Sequence, residues 1–217
     1  MEIPQETQEL INYYLKMVRT DPNHDLLARD RVKIYDSFKA ISDPQYQKFI
    51  GRLGILAAHK VLHFWELLKI EYYEDKIPYQ MLDIAENLWQ GNIQEEDIDE
   101  DIWYDFHYGG GSLLTSSEEQ IPSAAKFTLC AAESALNLVR GLAPFQGFNR
   151  KQIQEGIRNE LLYSSWGDSA SSASCAYSYQ STVDGERIYD PEKRLEFWEW
   201  WLKEAISQAW ELAHQNI

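Results

Sequence analysis

RLGILAAHKVLHFWE, residues 52–66, aligns without a gap on KFTLCAAESALNLVR, residues 126–140. In each stretch apolar side chains fill most of the helical circumference and the polar ones fall on one stripe: Arg52, His59, His63 and Glu66 in the first, Lys126, Glu133, Asn137 and Arg140 in the second. At about 100° per residue each stripe lies within roughly 60° of arc, so most of each cylinder is available for burial. The pairs Ala57 with Ala58 and Ala131 with Ala132 let neighbouring helices approach closely. These two rods predict an all-α fold, a multi-helix bundle in one domain over residues 1–217 with two central apolar helices. An internal duplication of helical hairpins is the weaker alternative, because one matched pair falls short of the roughly three units that stacked arrays need.

Helical spacing continues on both sides. Leu10, Ile11, Tyr14, Leu15 and Val18 predict a helix over 5–19, and Leu27, Val32, Ile34, Tyr35 and Phe38 another over 26–40. Asp43 followed by Pro44 opens the first central rod, which the pattern carries to about residue 72. Pro78 begins a helix that stops near Gly91, and the second rod runs from Pro122 to Gly141. A polar helix is expected near 149–163 and a small-residue helix over 167–180. Asp190, Pro191 and Glu192 then start a last helix reaching about His214, with Leu195, Trp198, Leu202, Ala205, Ala209 and Leu212 as its seam and Phe197 and Trp201 widening it. No segment carries convincing strand alternation. The region 94–121, acidic at its start and holding Gly109, Gly110 and Gly111, links the two halves as a mobile loop.

Thirty-five acidic residues against twenty basic ones give a formal charge of −15. Such a surface repels phosphate backbones and anionic lipid, which disfavours nucleic-acid and membrane partners, and attracts basic proteins. No run approaches the roughly 20 apolar residues of a membrane span, and the N-terminus carries no export signal. Cys130 and Cys175 sit among Ala and Ser and read as reduced core thiols, in keeping with a cytoplasmic protein.

Chemistry-bearing residues are few. His59 and His63, four apart with Glu66 one turn on, have a spacing compatible with metal ligation, but Lys60 stands where a zincin motif requires Glu. A buried polar stripe, with Glu133 as a salt partner for His59, is the preferred reading, and a metal-dependent enzyme built on the three residues is the alternative. Ser169 in Trp166-Gly-Asp-Ser-Ala170 lacks the second glycine of a nucleophile elbow and is read as structural, with Asp168 as N-cap or polar anchor. Neither a catalytic set nor a cofactor is expected. The most distinctive surface is the run Glu95, Glu96, Asp97, Asp99, Glu100, Asp101 and Asp105, interleaved with Ile98, Ile102, Trp103, Tyr104 and Phe106. It is either a solvated helix packing inward through Ile98, Ile102 and Phe106, or a docking face on which carboxylates steer a basic partner and Trp103 and Tyr104 anchor it.

Residues 187–210, with KRLEFWEWWL at 193–202 and Glu204-Ala-Ile206, resemble the C-terminal motif of the fifth immunity-protein family of bacterial polymorphic-toxin systems. The stretches 52–66 and 124–140 are similar to that family's helices. The resemblance implies a mostly helical antitoxin that binds a cognate toxin inside the cell and blocks its active site or a surface close by. Many such toxins are nucleases, and a basic nuclease suits the charge of −15. Glu66, Asp168, Arg194 and Trp198 fall on positions resembling the family's motif, where in a binding protein they are read as structural, holding the fold. The resemblance does not extend to the acidic segment or the glycines. A helical scaffold with no toxin partner is the third reading.

Overall fold

Glycine and alanine set the distance between the two central helices, α3 (Asp43–Val61) and α6 (Ser123–Val139). A Cβ placed on Gly54 would stand 2.8 Å from Leu138 Cδ1 and 3.3 Å from the Ala135 backbone, and one on Gly51 would stand 3.3 Å from the backbone of Val139. Ala57, Ala58, Ala131, Ala132 and Ala135 are all buried around the same contact. Backbones this close leave no room for a branched side chain, and the interface gains its stability from dense van der Waals contact.

The computed structural model describes residues 2–39, 43–66, 76–104, 106, 123–145, 148–156, 168–183 and 186–215. The remaining helices are α1 (Gln5–Thr20), α2 (Ala28–Ser37), α4 (Ile77–Gln90), α5 (Glu100–Tyr104), α7 (Arg150–Gln154), α8 (Ser169–Ser178), α9 (Pro191–Trp200) and α10 (Ile206–Ala213). Between the last two lies a π-helical turn, Trp201–Ala205, without a break in helical backbone angles. Helix α6 packs against α3, α8 and α4, α8 also touches α3 and α9, and α10 lies along α3. Helix α1 covers α2 and α9. The fold is therefore the all-α bundle expected, with α3 and α6 at its centre.

Two of the predicted stops share one cause. Gly91 and Gly141 adopt left-handed φ of 75° and 87°, and each donates back into the last turn of its helix. The amides of Asn92 and Leu142 reach the Asn87 and Asn137 carbonyls at 2.9 and 3.0 Å, so α4 and α6 end in the same glycine-dependent cap. Asp190 caps α9 as its sequence predicts, accepting from the amides of Glu192 and Lys193 at 2.9 and 3.2 Å.

Three expectations change. The α-helix of the first rod ends at Val61, whose ψ of 0° leads into a 3₁₀ turn, Leu62–Phe64, and the expected continuation past residue 66 lies outside the described residues. The small-residue helix stops at Ser178 and the chain forms an antiparallel hairpin, β1 (Tyr179–Val183) with β2 (Glu186–Tyr189). Arg187 lays its guanidinium 5.2 Å from the Phe127 ring, holding that hairpin to α6, while Val183 and Ile188 stay exposed. The polar helix near 149–163 is described only as α7, capped by Asn149. Gly109, Gly110 and Gly111 also lie outside the described residues.

Gly54→Val forces apart the α3–α6 contact and is expected to lower unfolding free energy by about 2 kcal/mol, the usual cost of overpacking. A urea melt followed by circular dichroism checks this.

Candidate functional site

A carboxylate and a guanidinium, both shut off from water, occupy the middle of the polar interior. Asp168 caps α8 and Arg31 projects from the buried face of α2, and both side chains have zero exposure. Arg31 Nε donates to Asp168 Oδ2 at 2.7 Å and Nη2 to Oδ1 at 3.0 Å, a two-point grip. The Tyr35 hydroxyl adds a bond to Oδ2 at 2.7 Å and the Ser171 amide one to Oδ1 at 2.9 Å, with the Ser171 hydroxyl bridging to the same carboxylate. Arg31 also donates to the Leu26 carbonyl, and its guanidinium lies 5.1 Å from the Trp198 ring and 5.3 Å from that of Phe145. Rings on its flanks replace water with a favourable quadrupole.

This cluster sets its own protonation states. Burial alone would raise the Asp168 carboxyl, but Arg31, Ser171 and Tyr35 outweigh it and hold the group below the ordinary carboxylate range. Burial pushes the Tyr35 hydroxyl well up, and the Asp168 charge adds to that. Because the folded-state carboxyl is depressed, its stabilisation is in force above the unfolded value of about 4 and is lost as pH falls through the folded value.

The family-motif positions lead to the same neighbourhood. Trp198, fully buried, donates its indole N–H to Asp25 Oδ1 at 3.1 Å. Arg194 stands 3.8 Å from Asp25 Oδ2 with its guanidinium 4.5 Å from the Tyr189 ring. Arg194 and Trp198 thus hold Asp25, and Asp168 acts through Arg31 on the Leu26 carbonyl, so all three bear on the segment between α1 and α2. Glu66 is elsewhere, exposed and accepting from the Tyr79 hydroxyl at 2.8 Å. Ser169 is structural as expected: its hydroxyl lies 2.9 Å from both the Gly54 and Ala131 carbonyls, bridging α3 and α6 from the first turn of α8.

The histidine stripe is not buried. His59 and His63 are exposed, and the carboxylate facing His59 Nε2, at 3.5 Å, is Glu86 of α4, which also takes Arg52. Arg52 and His59 hold the Glu86 carboxyl below its ordinary value, the His59 contact contributing most. His63 stacks on Phe64 with 4.0 Å between ring centroids. The three proposed ligands therefore have three different neighbours, and among the described residues no group of three His, Cys, Asp or Glu side chains is placed to hold a metal. Both cysteines are buried and unbridged, and burial, aided by Glu133, pushes the Cys130 thiol up.

The acidic run is a pinned scaffold. Gln94 and Asp97 cap each other across a 3₁₀ turn, Glu95–Asp97, and Ile98 and Phe106 are buried beneath it. Arg140, at the end of α6, donates through Nε to Glu95 Oε1 at 2.8 Å and lays its guanidinium 4.3 Å from the Trp103 ring. Trp103 in turn meets Phe106 edge-on, and Ile102, expected to face inward, is 37% exposed because Trp103 takes the inward position. Glu96, Asp97, Asp99 and Glu100 face solvent. Asp105 and the side chains of Asp101 and Tyr104 lie outside the described residues.

Residues that sequence reasoning passed over, Arg31, Tyr35 and Asp25, complete the buried cluster. The available signal was Arg31 itself, a charge at helical spacing between Leu27 and Tyr35 on the apolar side of α2.

Residues 11–208 match the family described as Immunity protein Imm5. The chain belongs to that family of immunity proteins, and membership supports an immunity role. No curated protein matches the chain. Among the described residues no helix is long and apolar enough to cross a membrane.

Arg31→Met strands the Asp168 charge and is expected to cost about 3–5 kcal/mol, with Arg31→Met/Asp168→Leu recovering much of the loss. Denaturant melts of the single and double variants at pH 7 and pH 3 check both the coupling and its loss in acid. Trp198→Ala is expected to cost about 3–5 kcal/mol, read as a lowered melting temperature.

Proposed function

We propose that the protein neutralises a cognate toxin by direct contact, acting as a stoichiometric inhibitor and not as an enzyme, and that the acidic run beginning at Glu95 is its docking face. The observation that carries this reading is the Arg140 clamp. By gripping Glu95 and Trp103 it fixes the short α5 segment while Glu96, Asp97, Asp99 and Glu100 stay in water. Carboxylates on a fixed frame lose little freedom on binding, and they sit on a chain of net charge −15 whose long-range field draws in a basic partner. A nuclease domain, basic because its substrate is polyanionic, is the partner such a surface suits. Asp101, Tyr104 and Asp105 belong to the same proposed face by sequence position, and Trp103 serves it chiefly by bracing the frame.

Family membership supports the immunity role, and the location of the interface rests on the charge and the clamp. Co-expression with the product of the neighbouring gene, scored by growth rescue and co-purification, tests the pairing. Glu96→Lys with Glu100→Lys is expected to slow association at least about tenfold at low salt and flatten its salt dependence, with an unchanged circular dichroism spectrum. Unaltered association kinetics would remove the segment from the interface.

A further inference from the structure

The segment between α1 and α2 bounds a cleft of about 510 Å³ that borders the buried cluster at Asp25 and Arg194 and is lined besides by Met17, Pro22, Leu27, Asp21, Arg29 and Asp30. Asp30 is the unusual member. It is 4% exposed, its carboxylate hydrogen-bonds with Tyr14, and Oδ2 has no hydrogen-bond partner. Arg29 Nε stands 3.8 Å from Oδ2, beyond hydrogen-bond range, on a side chain 45% exposed. A buried carboxylate oxygen left without a donor is costly, so this atom is primed to accept one.

The charges around the cleft indicate the kind of donor. Asp25 is matched by Arg194 and Trp198, which leaves Asp21 and Asp30 against Arg29. The excess is negative. The described acids are not grouped as a metal site would need, which favours a donor that reaches along the cleft over a point cation. Met17, Leu27 and Pro22 offer apolar wall for a methylene stem leading to that donor.

We infer that this cleft receives an arginine side chain of a partner protein, its guanidinium donating to Asp30 Oδ2 at the floor and to Asp21 at the rim, while its stem lies along Met17 and Leu27. The cleft is separate from the acidic run, and the identity of the partner as a basic toxin rests on the reading proposed above. Arg29 packs its guanidinium over Gly156, where a Cβ would stand 3.0 Å from Nη1, and in that position its Nε stays beyond hydrogen-bond range of Asp30 Oδ2, leaving that oxygen to an incoming guanidinium.

Titration of the isotopically labelled full chain with N-acetylargininamide, followed by backbone amide shifts, tests the site without the toxin. Saturable shifts confined to residues 21–30 and 189–194 are expected, with affinity weakened about tenfold in Asp30→Asn, equivalent to about 1.4 kcal/mol. Asparagine keeps an oxygen for Tyr14, and an unchanged melting temperature verifies that the fold survives. Asp21→Asn, nearer the surface, is expected to weaken binding as well. No saturable shift, a shift indifferent to Asp30→Asn, or the same residues responding to inorganic phosphate instead would overturn the inference. A chain that takes up the probe yet fails to protect cells would leave the cleft standing and defeat the toxin-binding reading; one that protects but ignores the probe would do the reverse.

Discussion

Two opposite charges with no access to water, Arg31 and Asp168, constrain everything around them. Removing either ion from solvent costs several kcal/mol, and the pair is tolerable because Tyr35, Ser171 and the Leu26 carbonyl supply it with further hydrogen bonds. Asp168 must cap α8 so that the Ser171 amide reaches it, α2 must present Arg31 and Tyr35 on one face, and Trp198 must stand beside the guanidinium. Helices distant in sequence are thereby fixed in register, since Arg31 and Asp168 are 137 positions apart. Hydrophobic burial supplies the bulk of the stability, while this cluster specifies which face of α2 meets which end of α8.

The small-residue contact between α3 and α6 depends on the same arrangement. Ser169 follows Asp168 directly, so the cap that positions the carboxylate also delivers a hydroxyl to the Gly54 and Ala131 carbonyls. One tight turn at the start of α8 therefore ties the ionic cluster to the central crossing. Residues that resemble a catalytic motif on paper, an aspartate beside a serine among small neighbours, are here consumed in holding three helices together. On the proposed function, recognition falls to the outer, negatively charged surface.

Much of the bundle was legible because its determinants are local. The two alanine-paired rods, the glycine stops at Gly91 and Gly141 and the Asp190 cap each lie within a few residues of the structure they specify. The hairpin was not legible, because its strands are short and an irregularity between Tyr179 and Ser181 breaks their alternation. Arg31 was hidden among Arg29, Asp30 and Lys33, where one more charge looks like solvated surface. The acidic run was legible as a feature, but its bracing by Arg140 required the fold, which brings the end of α6 against Glu95 and Trp103. The C-terminal motif residues have a structural role: Trp198 lies against the Arg31 guanidinium and, with Arg194, holds Asp25.

On the proposed function, an interior that holds the fold is divided from an acidic exterior that meets a partner. Hydrogen–deuterium exchange on the chain alone and on its co-purified complex with the neighbouring gene product tests that division most directly. Added protection over residues 94–104, with α8 unchanged, is the predicted result. Protection absent there and gained instead across His59, His63 and Glu66 would contradict it.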